Sequence, residues 1–271
     1  RSTKRELFMT PDSALVAARI INDARRLKIP LNDLPKAYKP ETIQEGYQVQ
    51  HALKKLLRTK ISRLRCGHKI GCTTTVMQEY LQIGHPCAGV IMDETIYNGS
   101  AQLQYSNFIR PGIECEIVVR LGSDFPEDID LGREVVGTYI DSIMIGIELV
   151  DDRYVDFRSL GTPTLIADNF FNAGCILGKP NRDWRKLDLK NLTGGFSING
   201  NCGQKGRGAE ILGDPLAALV WLARHTRQTG GQLKAGDFVM LGSIVKTHWF
   251  TGPGNAVAKI RGLGEVFVTF S

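Results

Sequence analysis

The chain has 271 residues, 42% hydrophobic and 23% charged, with 29 Gly and 11 Pro, a composition that excludes a disordered, collagen-like or disulfide-scaffold protein. Its 34 Lys and Arg stand against 28 acids for a formal charge of +6. The two signs are interspersed and no basic stripe or zinc-finger spacing accompanies them, so nucleic acid is not an expected partner, whereas a small anionic substrate suits the charge.

In chain order, Pro11-Asp12-Ser13 are start signals for a helix whose apolar residues Ala14, Leu15, Ala18 and Ile21 recur at helical spacing. A loop with Pro30, Pro35 and Pro40 ends it. Thr42-Ile43-Gln44-Glu45 has the form of a capping box and predicts a second helix to about Arg58. From about Cys66 the pattern changes to short β-type runs at His68–Gly71, Gly89–Met92, Ile113–Leu121, Tyr139–Val150 and Cys175–Leu177. Thr75-Val76-Met77-Gln78 is read as the cap of a short helix among them. Asp214-Pro215 opens a further helix that stops at Gly230-Gly231, and strands are expected at Phe238–Leu241, Ala256–Ile260 and Val266–Phe270.

Helices, then strands, one long helix, then strands make an α+β fold with a mixed or antiparallel β core. The expected division is a helical region 1–65 and a β-rich region 66–271. Rossmann, P-loop and nucleophile-elbow signatures are missing. No apolar run approaches the ~18 to 20 residues of a membrane span and the opening residues lack an apolar signal region, so a soluble, cytoplasmic protein with no membrane partner is expected. Cys66, Cys72, Cys87, Cys115, Cys175 and Cys202 lack metal-site spacing and read as buried, reduced thiols.

The most informative stretch is Ile113-Glu114-Cys115-Glu116-Ile117. On a strand, Glu114 and Glu116 share a face, about 6.6 Å apart along the chain. A solvated strand surface is one reading. The β-branched surroundings, with no alternating Lys, point instead to a covered site, where like charges push a carboxyl pKa upward unless a cation sits between them. Glu148 lies in the strongly apolar segment 139–150 and needs a partner, either an Arg such as Arg153 or a metal. If the three acids converge, an all-oxygen set selects Mg²⁺ or Mn²⁺.

Lys69, in Gly67-His68-Lys69-Ile70-Gly71, is a lone cation on a short strand whose flanking glycines admit a ligand; a surface lysine is the plain alternative. Thr73 and Thr74 follow at a helix start, where they either cap the helix or meet a carboxylate. None of the five histidines is spaced from an acid as a catalytic pair. Asp168-Asn169 reads as a turn, and Asp151-Asp152-Arg153 as local ion pairs at a strand end.

Through these motifs the chain resembles the hydratase and decarboxylase branch of the fumarylacetoacetate hydrolase superfamily, the 2-keto-4-pentenoate hydratases and 4-oxalocrotonate decarboxylases. The resemblance runs from Tyr47-Gln48-Val49-Gln50 through Gly67–Gln78, Ile113–Ile117, Ile147–Arg153, Ala167-Asp168-Asn169, Gly213–Ala223 and Leu233–Ser243 to Gly262–Val266. It implies a mixed β-roll with N-terminal helices, assembled as a homo-oligomer, with a possible complex with a pathway enzyme.

The resemblance further implies that Glu114, Glu116 and Glu148 bind Mg²⁺ or Mn²⁺ and that Lys69 is a proton donor or orienting cation. Thr73, Thr74, Asp168, Gly242 and Ser243 are its substrate-binding candidates. The implied reaction adds water to a small anionic 2-hydroxy-2,4-dienoate, through its 2-oxo-enoate tautomer, giving a 4-hydroxy-2-oxo acid. A 2-oxo-enedioate decarboxylase is the alternative, and would need a cation such as Arg110, Arg153 or Arg158 for a second carboxylate. A C–C hydrolase would need a His-Glu pair. Pro86-Cys87-Ala88-Gly89 departs from the Pro-Asp-Phe/Tyr-Gly common in the family, and Phe170-Phe171-Asn172 from small Ser residues. These departures raise a non-catalytic partner subunit as a further reading, which the retained acids and Lys69 oppose.

Overall fold

The computed structural model describes residues 9–57, 67–127 and 130–271. Its helices are α1 (Pro11–Leu27), α2 (Ile43–Leu57), α3 (Thr75–Leu81), α4 (Arg133–Thr138), α5 (Thr162–Ala167) and α6 (Pro215–Gln228). Its strands are β1 (Gly67–Gly71), β2 (Cys87–Ile91), β3 (Ile96–Asn98), β4 (Ser100–Leu103), β5 (Pro111–Leu121), β6 (Ile140–Asp151), β7 (Asn172–Leu177), β8 (Thr193–Ile198), β9 (Asn201–Arg207), β10 (Phe238–Ser243), β11 (His248–Trp249), β12 (Gly254–Ile260) and β13 (Gly264–Phe270). The chain divides into two compact units, Arg1–Ile61 with Asp152–Phe171, and Ser62–Asp151 with Asn172–Ser271.

In the first unit, α1 begins where the Thr10 hydroxyl accepts the Ser13 N–H and Pro11 pre-sets the first turn. The expected capping box forms at α2: Glu45 N donates to Thr42 Oγ1 at 3.2 Å and Thr42 N to Glu45 Oε2 at 3.1 Å. The predicted helix end at Arg58 lies outside the described residues. Ala14, Ala17, Ala18 and Ile21 of α1 pack with Val49 and Leu53 of α2. Also on α2, a side-chain carbon at Gly46 would come within 2.6 Å of the Pro163 carbonyl oxygen. The missing side chain thus lets α5 lie against α2. Residues 152–171, which a single division near residue 65 assigns to the β-rich part, therefore group with the N-terminal helices. After α5 the backbone takes three successive left-handed residues, Asn169, Phe170 and Phe171, with φ of 62°, 46° and 63°. Phe171 then meets Tyr154 and Phe157 edge to face.

The second unit holds two sheets. The larger has the order β2-β1-β10-β5-β6-β7-β3, with β11 also on β5, and the smaller β4-β13-β12-β8-β9. Pairs β1–β10, β3–β7 and β4–β13 are parallel and the others antiparallel, so the β core is mixed, as expected. Period-2 alternation sends Ile113, Cys115 and Ile117 of β5 and Ile143, Ile145 and Ile147 of β6 into one core with Ala256, Ala258 and Val266 of the smaller sheet. Leu216, Leu219 and Leu222 of α6 join it. The expected Asp214 cap is present, accepting from Leu216 N at 3.0 Å. The opposite side chains, Val118, Met144, Cys175 and Met240, make a separate apolar cluster.

Two local expectations change. The α3 cap is Thr74, whose hydroxyl accepts the Met77 N–H, and not Thr75. Cys72, Cys87, Cys115 and Cys175 are buried free thiols, but Cys202 is exposed on β9, because this edge strand leaves nearly all its side chains in solvent. Cys66 lies outside the described residues. No helix among the described residues is long and apolar enough to cross a membrane.

Candidate active site and metal centre

The long antiparallel pair β5–β6 builds the acid cluster. Its register sets Glu114 directly opposite Glu148 and Glu116 opposite Gly146. Directly opposed side chains have their Cβ atoms about 4.5 to 5.5 Å apart, and Glu116 is two residues along on the same face. One carboxylate oxygen from each of Glu114, Glu116 and Glu148 falls within 4.8 Å of the others. Glu116 and Glu148 are fully buried and Glu114 is half-buried. The solvated-surface reading of this strand face is thereby excluded.

Each acid has a protein donor. Thr247 Oγ1 donates to Glu114 Oε1 at 2.5 Å, Gly242 N to Glu116 Oε2 at 2.9 Å, and Asn172 Nδ2 to Glu148 Oε1 at 2.9 Å. The cation on Glu148 is Lys69, whose Nζ lies 3.1 Å from Oε1. Lys69 is 4% exposed, so it is no surface lysine. Arg153, the cation nearest Glu148 in sequence, pairs with Asp168.

The electrostatics follow from three anions and one cation in an apolar setting. Burial, then the charges of Glu148 and Glu114, hold the Glu116 carboxyl well above its usual range, against the pull of Lys69 and the Gly242 N–H. Burial and Glu148 raise Glu114 likewise, opposed by Lys69 and the Thr247 hydroxyl. For Lys69, burial pulls downward, but Glu148, Glu114 and Glu116 more than offset it, so its pKa is raised and the ammonium stays protonated.

The residues fit a divalent cation. Glu116 Oε1 and Glu148 Oε2 are buried without a hydrogen-bond donor among the described residues, and leaving anionic oxygens so placed is costly. A set made only of carboxylate oxygen suits a hard ion such as Mg²⁺ or Mn²⁺ and not zinc.

The remaining predicted positions are distributed as follows. Thr73 is buried and packs so tightly on Gly242 that any side chain there would collide with it. Thr74 caps α3. The Ser243 hydroxyl donates to the Val245 carbonyl at 2.6 Å, engaging it with the backbone. Asp168 belongs to the first unit, where it accepts from Arg25 Nη2 at 2.8 Å and Arg153 Nη1 at 3.3 Å. At the end of β6, Asp151 accepts the Ile109 and Arg110 N–H groups and Asp152 the Tyr154 N–H. His68 Nε2 lies 3.5 Å from Asp237 Oδ2, an approach that chain spacing does not reveal. Sequence reasoning missed Thr247 and Asn172 as partners of the acids. Their only signal would have been register, of β11 on β5 for Thr247 and of β7 on β6 for Asn172, since neither residue type nor local pattern marks them.

The chain is 29% identical over 269 residues to the 2-keto-4-pentenoate hydratase of Paraburkholderia xenovorans, covering 97% of this chain and 96% of that protein. It is 26% identical to the 4-oxalocrotonate decarboxylase of a Pseudomonas species, over 97% of this chain and 98% of that one. A solved 4-oxalocrotonate decarboxylase from Pseudomonas putida, complexed with magnesium and adipate, superimposes with a TM-score of 0.89 at 24% identity, covering 97% and 98% of the two chains. Residues 83–271 match the fumarylacetoacetate (FAA) hydrolase C-terminal family, and the chain belongs to that family.

Proposed function

We propose that this protein is a divalent-metal-dependent hydratase that adds water at C4 of a 2-hydroxy-2,4-dienoate, through its 2-oxo-enoate tautomer, to give a 4-hydroxy-2-oxo acid. The observation that carries this reading is the convergence of Glu114, Glu116 and Glu148 with a buried Lys69, in a chain that aligns nearly end to end with a named hydratase. In this reading the three acids hold Mg²⁺ or Mn²⁺, which supplies a Lewis acid that polarises a carbonyl or enol oxygen.

Lys69 is the proposed proton carrier. Its ammonium, held at Glu148 Oε1, orients the anionic substrate and hands a proton to C5 of the dienol, whose 2-hydroxyl releases its own proton to solvent as the conjugated 2-oxo-enoate forms, and the lysine is reprotonated from solvent. Glu148 keeps that ammonium in place while Thr247, Gly242 and Asn172 hold the acids in one orientation. Preorganised dipoles and charges of this kind act strongly in a covered site. Thr73, Thr74, Gly242 and Ser243 of the second unit are the proposed substrate-binding positions, and a homo-oligomer is the proposed assembly.

The test is ultraviolet loss of freshly generated 2-hydroxypenta-2,4-dienoate with Mg²⁺ or with EDTA, comparing wild type and Glu116→Ala. Metal-dependent conversion to 4-hydroxy-2-oxopentanoate, lost in Glu116→Ala, is expected. No turnover of this dienoate combined with CO₂ release from 4-oxalocrotonate would replace the hydratase by a decarboxylase, a second reading favoured by the 26% identity to a named decarboxylase.

A further inference from the structure

Strand β11 adds a row of side chains beside the acids. Trp249 and Val150 both lie directly opposite Gly112 of β5, one from each neighbouring strand, and opposed residues share a face of the sheet. A side-chain carbon built on Gly112 would come within 2.6 Å of the indole Cε3, 2.9 Å of Cζ3 and 3.0 Å of Val150 Cγ2. The six-membered ring of Trp249 therefore rests on the Gly112 backbone, in space that any other residue there would fill. Glu114 is two residues further along β5 and faces the same way, about 6.6 Å from Gly112 along the strand. An indole backed by Val150 thus forms an apolar surface next to the row that holds Glu114 and Glu148.

Burial shows which way this face opens. Glu116, Val118, Met144 and Met240 are fully enclosed, so beyond Glu116 the face is closed by packed side chains. Glu114 and Trp249 are only half-buried. Along this face, solvent is therefore reached at the Gly112 end of β5.

We propose that Trp249 is a specificity-determining residue whose indole takes the tail of the substrate and selects a flat, apolar tail over one that ends in a second carboxylate. This rests on the reading of Glu114, Glu116 and Glu148 as the metal site for a 2-oxo acid. With the oxygen-bearing end of the substrate held at the acids, the remaining carbons leave along the open side and lie on the indole. The conjugated carbons of a dienoate are planar and apolar, and an aromatic face stacks on such a group. The same face is the negative side of the ring quadrupole, and Val150 offers no donor. A terminal carboxylate placed there would lose its water without compensation. Arg110, two residues before Gly112, is the cation that a dioate would need instead.

The experiment is calorimetric titration of the full chain, in Mn²⁺, with pyruvate, 2-oxohexanoate and 2-oxohexanedioate. The three share one head and differ in the tail, which is absent, apolar, or of the same length with a terminal carboxylate. Wild type should bind 2-oxohexanoate at least about tenfold tighter than pyruvate, because further carbons leave water, and tighter than the dioate. Trp249→Phe should keep that preference. Trp249→Gln keeps bulk on Gly112 without an aromatic face, so it should lose most of the preference while its affinity for pyruvate is unchanged, which separates a lost tail contact from a damaged fold. Equal binding of pyruvate and 2-oxohexanoate by wild type, or an intact preference in Trp249→Gln, would overturn the role of Trp249 and leave the metal site standing. Tighter binding of the dioate would also overturn it and pass the tail to a cation such as Arg110. Failure of all three acids to bind in Mn²⁺ would remove the metal-site reading and this inference with it.

Discussion

Lys69 Nζ and Glu148 Oε1 are 3.1 Å apart, with 5% and 0% of their side chains exposed. Their strands are not neighbours: β10 and β5 lie between β1 and β6, so the pair depends on the long lysine side chain crossing one face of the sheet. One ammonium faces three carboxylates there. Removing one partner of a buried pair costs about 3 to 5 kcal/mol. We therefore expect Lys69→Met to lower the melting temperature markedly in EDTA, and Mn²⁺ to recover more stability in the variant than in wild type, since a cation that binds only the folded state stabilises it. Paired melting curves with EDTA and with Mn²⁺ check this. An equal Mn²⁺ increment in both proteins would contradict it.

Thr247 holds Glu114 by a 2.5 Å hydrogen bond. Groups that orient a metal ligand typically contribute tenfold to a hundredfold in metal affinity. Thr247→Val keeps the shape and removes the hydroxyl, so Mn²⁺ binding should weaken by about tenfold or more. Thr247→Ser should retain it. Titration followed by the spectrum of free Mn²⁺ reads both, and equal affinity in all three proteins would assign Thr247 a packing role alone.

Local signals brought out most of the scaffold. The capping box at Thr42 and Glu45, the Asp214-Pro215 helix start and the β-branched runs of β5 and β6 each announce an element through nearest neighbours in the chain. Strands β8 and β9 were missed because Thr193-Gly194-Gly195 and Gly203-Gln204-Lys205-Gly206 carry no apolar alternation. Their glycines answer to close approach, since a side-chain carbon on Gly206 would overlap the Ile244 carbonyl. Within the site, Glu114 and Glu116 are legible because two residues on a strand share a face. That Glu148 stands opposite Glu114 requires the β5–β6 register, and that Lys69 reaches it requires the strand order, neither of which is a local property.

Glu45 supplies a pH dependence away from the acid cluster. Burial raises its pKa, but the backbone N–H groups of Glu41, Met9 and Thr42 donate to it and leave it lowered overall. A carboxylate depressed in the folded state contributes stability that is present above its unfolded value of about 4.3 and lost as the pH falls through the folded value. Glu45→Ala should cost about 1 kcal/mol at neutral pH, in the range of helix caps. The deficit should shrink as the pH falls below about 4. Urea unfolding of both proteins at the two pH values measures it, and a deficit independent of pH would show that packing, not charge, is what Glu45 contributes.

Gly242 combines two requirements in one residue. Its φ of 119° lies where side chains are strained, at a cost on the order of 1 to 3 kcal/mol, and a side chain would also collide with Thr73. The same backbone N–H donates to Glu116 Oε2. Gly242→Ala should therefore lose stability and also shift the acid it holds. Relieving the collision with Thr73→Ala in the same chain should return part of the stability, because the two changes share one contact and do not add. Mn²⁺ affinity should stay weakened, because the strained backbone still turns the N–H away from Glu116. A double variant that regains both together would mean the collision alone mattered; one that regains neither would mean the left-handed backbone alone decides the outcome.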